Sequence, residues 1–311
     1  MLLLEEDIKN RPLYDLYLRE LGDIPKFLKK YLTVPSIQRL KGISYFCGMD
    51  YASKDIYNFK EPISRYDHSL TTALITWNQI HDQKATLAAL FHDAGTPCFS
   101  HVIDYMHHDY VRQESTEKYT NKIIQDDSLL LKYLKKDNIK LEDLDFKKYP
   151  IVDCDRPKLC ADRFDGIILP GISWTKSVKE KDIYLLTSNL TVYKNEKKEP
   201  ELGFKTEGSA RRAKELSDEI AEYCMTKEDN YMMELLAKIV KRAIELDVIT
   251  EADLYTSEED TIYIRIKNCA YSEINGLILE FENKKREEIE DIGLEVKKKV
   301  LTPLAHGKRI K

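Results

Sequence analysis

Of the seven histidines in the chain, all but His306 fall between His68 and His108, a clustering that suits metal ligation or acid–base work. The dipeptide His-Asp occurs three times, as His81-Asp82, His92-Asp93 and His108-Asp109, and only context separates the three. The first and last stand at apparent helix starts, where Asp serves as N-cap and the histidine is solvated. His92-Asp93 instead closes an apolar helix, where an unpaired carboxylate costs several kcal/mol. A cation is expected there. Adjacent helical side chains point about 100° apart, so both reach one ion only if it lies beyond the helix end, and other helices must supply the remaining ligands. His68 opens the preceding antiparallel helix, and Asp162 lies on a later apolar helix with Asp165 one turn on. Two imidazoles and two carboxylates make a mixed nitrogen and oxygen set for one divalent ion (Mn, Fe, Ni, Zn or Mg), with positions left for water and substrate.

Helices must position these groups, and helical periodicity dominates the chain. Leu13, Leu16, Leu18 and Leu21 begin it, Ile24 to Leu32 continues it, and a short helix is expected over Ser36 to Tyr45. Residues 46–64 read as a loop that delivers Arg65-Tyr66-Asp67-His68 to the next helix, whose buried face is Leu70, Ala73, Leu74, Trp77 and Ile80. Asp82 is the expected N-cap of the helix Gln83 to Asp93, apolar almost all round and therefore central. Gly95 and Pro97 end it. Further helices are expected over Ser100 to Met106, 115–136 and Asp155 to Leu169, with a charged surface stretch from Lys135 to Lys148. Tyr184 to Tyr193 is rich in β-formers, Asn195 to Pro200 is turn-like and Glu201 to Phe204 could return, which predicts a β-hairpin. After Gly208 the pattern is helical to about Val300.

Several strings in this order carry a resemblance. Pro35-Ser36-Ile37-Gln38-Arg39-Leu40, Arg65-Tyr66-Asp67-His68-Ser69-Leu70, Leu90-Phe91-His92-Asp93-Ala94-Gly95-Thr96-Pro97 running on to Asp104, and Ala161-Asp162-Arg163-Phe164-Asp165 together resemble the HD-domain phosphohydrolase superfamily. They are most similar to its deoxynucleoside triphosphate triphosphohydrolase branch, over roughly residues 30–175. The resemblance implies an all-α fold: an HD-type helical bundle around a metal site in residues 1–180, with a small β-hairpin and a helical C-terminal extension in residues 181–311 packed on the same core. It implies that His68, His92, Asp93 and Asp162 hold the ion, that Arg65 and Arg163 contact substrate phosphates, and that the protein is a homo-oligomer. Where that branch has two further histidines this chain has Thr96 and Gln113, neither of which titrates near neutral pH. Asp104, Glu114 and His101 are left as the expected proton-transfer groups. The expected activity is hydrolysis of a phosphate ester of a nucleotide or related small molecule by metal-activated water. Two other readings stand beside it: an HD protein that binds metal and nucleotide as a regulatory or assembly module without turnover, and a di-iron oxygenase that draws on His101, His107 and His108 for a second ion.

Composition agrees with small-molecule chemistry. Lys+Arg 49 against Asp+Glu 54 gives a net charge of −5, so no global basic surface is available and nucleic acid is not an expected partner. With 42% hydrophobic residues the chain can fill a sizeable core, while Gly 11 and Pro 10 argue against a loop-rich β fold or a glycine-rich phosphate loop. Six scattered cysteines form no C-x-x-C pair. The start lacks a basic leader and no apolar run approaches the ~18 residues of a membrane span, so a cytoplasmic protein without membrane contact is expected. Arg211, Arg212 and Lys214, and the lysines at 297–299, read as solvated charge.

Overall fold

The computed structural model describes residues 10–112 and 119–310. Fifteen helices account for most of them, in the order α1 (Pro12–Glu20), α2 (Lys26–Tyr31), α3 (Pro35–Gln38), α4 (Arg65–Ile80), α5 (Gln83–Phe91), α6 (Val102–Met106), α7 (Thr120–Asp126), α8 (Ser128–Lys136), α9 (Ala161–Ser173), α10 (Glu180–Asn189), α11 (Glu207–Cys224), α12 (Lys227–Glu245), α13 (Asp253–Thr256), α14 (Glu259–Lys267) and α15 (Ser272–Asn283). The antiparallel pair α4 and α5 forms the centre, with α9 packed on α4 and α12 on α6. One apolar core runs through all of them, from Leu13 to Ile310.

Local chemistry explains where the central helices start. Ser64 caps α4 by accepting from the Asp67 backbone N–H, while the Asp67 carboxylate accepts from the Ser64 backbone N–H at 2.8 Å, a reciprocal capping box. Arg11, just before α1, donates to the same carboxylate at 2.8 Å, so the first turn of α4 is held from outside the helix. Asp82 caps α5 as expected, accepting from Lys84 and Ala85 N–H groups. The residues of α5 from Ala85 to Phe91 are all buried, and the helix stops at Phe91 with His92 as its C-cap, two residues before the expected end.

The largely helical expectation holds, and the small hairpin expected beside the helices is part of a larger sheet. The chain is mostly helical but carries a four-stranded sheet, β1 (Leu190–Lys194), β2 (Pro200–Phe204), β3 (Leu304–Ala305) and β4 (Lys308–Arg309), in the order β1-β2-β3-β4. The expected hairpin is β1 and β2, antiparallel with Leu190 opposite Phe204. Tyr184 to Asn189 is nevertheless helical: Asp182 accepts from the Lys179 N–H at 2.9 Å at the start of α10, and Ile183 and Leu186, three apart, are its buried face. Tertiary packing overrides the β-forming side chains there. The last two strands pair through a two-residue turn, His306-Gly307, both at positive φ, and β3 joins β2 in parallel. Arg309 seals this junction on the buried Glu201 at 2.8 Å.

Other boundaries shift for identifiable reasons. The helix expected over Ser36 to Tyr45 is a short α-turn followed by a 3-10 turn, Arg39–Gly42. Of the one expected over 115–136, residues 115–118 lie outside the described residues, and the rest is divided at Asp127, whose carboxylate caps α8 and also takes the Ser36 hydroxyl at 2.7 Å. Residues 155–160 are irregular and α9 starts only at Ala161. Helical structure ends at the 3-10 turn Arg286–Glu288 rather than near Val300, and residues 289–303 run as an irregular strap anchored by the buried Ile289 and Leu301. No helix among the described residues is long and apolar enough to cross a membrane.

Gly95 tests the fit between the centre and α7. A Cβ at this position would lie 2.5 Å from the Thr120 backbone, so the two segments must part. Gly95→Ala is expected to destabilise the protein by about 1–3 kcal/mol, read as a lower midpoint of urea unfolding.

Candidate metal centre

Three helix ends converge on one point. His68 comes from the first turn of α4, His92 from the C-cap of α5 and Asp162 from the first turn of α9. The His68 and His92 Nε2 atoms are 3.2 Å apart, and Asp162 Oδ1 is 3.1 Å from the first and 3.6 Å from the second. The other ring nitrogens are already committed. His68 Nδ1 donates to Asp165 Oδ2 at 2.7 Å, and His92 Nδ1 donates to the Ala89 carbonyl at 2.7 Å. Each neutral ring therefore turns its Nε2 lone pair to the same place as a carboxylate oxygen, and three acceptors this close need a shared positive charge. The group His68, His92, Asp162 could hold a metal ion. Its two imidazoles are buried.

The electrostatics show the same demand. Burial by itself lowers the pKa of His68, but hydrogen bonds to Asp162 and Asp165 outweigh it and bring the ring up to about 10. Burial raises Asp93, yet His92, Arg65 and His68 hold it down to about 2. Asp162 stays far below its ordinary value for the same reason, hydrogen bonds from both histidines overcoming its burial. A proton thus supplies the positive charge, and a divalent ion can take its place.

Asp93 stands slightly apart from the other three. Its Oδ1 is 3.7 Å from His92 Nε2 and its Oδ2 3.8 Å from His68 Nε2, while Arg65 Nη1 donates to Oδ2 at 2.9 Å. Behind the histidines, Asp165 is fully buried and also accepts from the Tyr17 hydroxyl at 2.8 Å. Helix α1 thereby fixes the orientation of a ligand on α4 through a carboxylate on α9.

The centre forms part of the wall of a cavity of about 490 Å³. Arg65 lines it, with Nε donating to Ser100 Oγ at 3.2 Å and the guanidinium 4.8 Å from the centre of the Tyr45 ring. Arg163 lines it too, but its guanidinium donates to the Lys158 carbonyl and, at 2.8 Å, to the Cys154 carbonyl, so it braces the irregular loop before α9. His101 lies on the wall with Nδ1 donating to Asp104 Oδ2 at 2.9 Å. Asp104 itself is fully buried behind it. Glu114 lies outside the described residues. His107 and His108 are exposed after α6, and Thr96 is buried with its carbonyl accepting from Arg39 at 2.5 Å.

Several cavity residues escaped the sequence reading. The strap contributes Lys297 and Lys299, the loop before α9 contributes Arg156, and Asp229 of α12 faces the same space. Lys297 and Lys299 are therefore partly buried rather than part of the solvated helix end expected of them, while Lys298 between them is exposed. The partly buried Leu294 and Val296, one polar residue apart, were the available sign of an extended segment lying on the core. Asp229 is brought up to about 6 by burial, against the hydrogen bond it accepts from the Tyr57 hydroxyl at 2.6 Å. Arg211, Arg212 and Lys214, by contrast, are paired with Glu207, Asp182 and Asp218.

No protein-family model matches the chain. It is similar to the uncharacterized protein YdhJ of Bacillus subtilis (strain 168), with 25% identity over 243 residues that cover 76% of this chain and 70% of that protein.

Asp165 orients His68 without facing the cavity, which gives a separable test. Asp165→Asn is expected to weaken Mn²⁺ or Zn²⁺ binding by about 10–100-fold, measured by calorimetry on protein stripped of metal. Unchanged affinity would mean that the His68 ring does not depend on this carboxylate.

Proposed function

We propose that the protein is a metal-dependent phosphohydrolase of the HD type, cleaving a phosphate ester of a nucleotide or a related small molecule. The observation that carries the reading is the meeting of His68 Nε2, His92 Nε2 and Asp162 Oδ1 within 3.6 Å of one another, in the wall of a cavity that also presents arginines. Asp93 completes the ligand set from the adjoining position. The sequence resemblance around these residues supports the same class.

His68, His92, Asp93 and Asp162 would hold a divalent ion, which would supply a water of pKa lowered towards about 7 and polarisation of a phosphoryl oxygen. The surrounding side chains do the rest. Arg65, held by Asp93 and Ser100, has donors left for phosphate oxygens, and its planar fork suits them. Arg163 keeps the loop before α9 in place. His101 is the proton-transfer group: Asp104 occupies Nδ1, so in the neutral ring Nε2 carries the lone pair, ready to take or return a proton at the cavity wall. Asp104 acts through His101 and is a positioning residue.

Elemental analysis and a panel of nucleotides and phosphate esters, scored for the phosphorus product released, test the reading. Asp162→Ala is expected to lose both bound metal and phosphate release. His101→Gln is expected to keep the metal and lower kcat by about 10²–10⁴-fold with little change in KM. Full turnover by Asp162→Ala would sink the metal-dependent mechanism.

A further inference from the structure

Two cysteines stand beside the metal centre without a part in it. Cys154 lies on the irregular loop before α9, half-buried in the cavity wall. Cys160 is the fully buried N-cap residue of α9, two positions before Asp162. Their thiols share a hydrogen bond. Cys160 Sγ also lies 3.6 Å from Asp153 Oδ1, a second acceptor for the same S–H, and Arg163 Nη1 donates to Cys154 Sγ at 3.6 Å.

This group is not built for a second ion. Ligand atoms of Asp153, Cys160 and Asp162 lie within 4.8 Å of one another. The Arg163 guanidinium, on the Cys154 sulfur and 3.7 Å from Asp153 Oδ1, already brings a positive charge to them. A cation beside a half-buried thiol makes a nucleophile instead. The hydrogen bond with Cys160 and the Arg163 charge hold Cys154 below the ordinary thiol range. Burial has the opposite effect on the other cysteines that line the cavity, pushing Cys47 up to about 11 and raising Cys224.

We propose that Cys154 and Cys160 form a redox pair at the edge of the metal centre, in which Cys154 attacks a hydroperoxide and Cys160 closes the disulfide. In the first step an S–O bond forms as the peroxide O–O bond breaks, and the departing oxygen leaves with a proton as water or an alcohol. In the second, the Cys160 sulfur displaces the hydroxyl of the Cys154 sulfenic acid, which leaves with the Cys160 proton as water. Two thiols lose two electrons and one peroxide gains them. The sulfurs close from hydrogen-bond distance to about 2 Å, and the movement falls on the N-cap of the helix that carries Asp162. Arg163, which braces the same loop through the Cys154 carbonyl at 2.8 Å, loses its sulfur partner in that step. Oxidation therefore pulls on a candidate ligand and weakens the hold on an ion. The pair itself rests on neither the metal nor the hydrolytic reading, and its effect on the ion rests on the metal centre alone.

Hydrogen peroxide added to the reduced, metal-free full chain, followed by alkylation in denaturant, counts the surviving thiols. Two of the six are expected to disappear, and trypsin, which cuts after Lys158, should release the peptides of Cys154 and Cys160 still joined. Cys160→Ser should stop at a sulfenic acid on Cys154, trapped by dimedone. Cys154→Ser should leave Cys160 reduced, and Cys224→Ser should still form the disulfide. Six thiols that survive an excess of peroxide, or a disulfide between a different pair, overturn the proposal. Calorimetry with Mn²⁺ reads the effect on the centre. The oxidised chain should bind the ion roughly tenfold more weakly than the reduced one, and reduction by a phosphine should restore the affinity. Cys154→Ser, which cannot close the bridge, should bind Mn²⁺ equally before and after peroxide. Equal affinity in the oxidised and reduced wild-type chain, or the same loss in Cys154→Ser, overturns the link between the disulfide and the ion.

Discussion

The hydrogen bond from His68 Nδ1 to Asp165 is the contact on which the site depends. It fixes the tautomer and the plane of the ring, so that Nε2 faces His92 and Asp162 as an acceptor. Without it the ring could turn or carry its proton on the other nitrogen, and a ligand would become a donor. Both partners are desolvated, so the bond is strong only while each is satisfied. Tyr17 takes the other oxygen of Asp165, which makes packing of α1 against α9 a condition of the geometry at α4. Arg11 adds a second tie by holding the capping carboxylate at the start of α4. The N-terminal helix thus serves the centre although it supplies none of its ligands.

The cavity is assembled differently from the centre. The candidate ligands His68, His92 and Asp162 all come from helix ends, where side chains converge. The remaining wall comes from segments with little regular structure: the loop at 152–160 and the strap at 289–303. These are kept in place by backbone hydrogen bonds to each other and by Arg163, whose guanidinium is spent on carbonyls of its own loop. Loops held on a rigid scaffold suit recognition of the variable part of a ligand. The division of labour is therefore between helix termini that would hold an ion and looser segments that would choose what meets it.

Legibility followed the same division. His68 and His92 could be brought together on paper because each sat at a helix boundary, His68 at the start of α4 and His92 at the end of the apolar run that the Asp82 cap begins, whereas Asp162 was expected inside a helix from Asp155 and stands in the first turn of one that starts at Ala161. Periodicity and capping are local, and local signals survive in one sequence. The Arg163 guanidinium could not be placed, since its partners are backbone carbonyls of residues that precede a helix and carry no pattern. The strap failed for a related reason. A cluster of lysines next to glutamates reads as solvated, and it is long-range pairing, such as that of the Thr302 N–H with the Pro157 carbonyl, that holds the strap against the cavity. Likewise β3 and β4 are two residues each, too short for alternation to appear, and exist because β2 offers an edge. In α10 the error ran the other way, with β-forming residues drawn into a helix by Ile183 and Leu186.

Charge gives the cavity its direction. The whole chain is acidic at −5, yet the cavity is lined by Arg65, Arg156, Arg163, Lys297 and Lys299 against Asp93, Asp153, Asp155, Asp162 and Asp229, five cations facing five carboxylates, a formal balance of zero with neutral histidines. Asp229, at about 6, contributes less than a full negative charge when the pH falls below neutral. Two of the carboxylates, Asp93 and Asp162, are turned to the centre. A divalent ion there would satisfy them and leave the cavity at +2, the charge that a phosphate dianion cancels. The same ion would compete with a proton for the lone pair of His68 Nε2. Ion and phosphate would then favour each other's binding through charge alone.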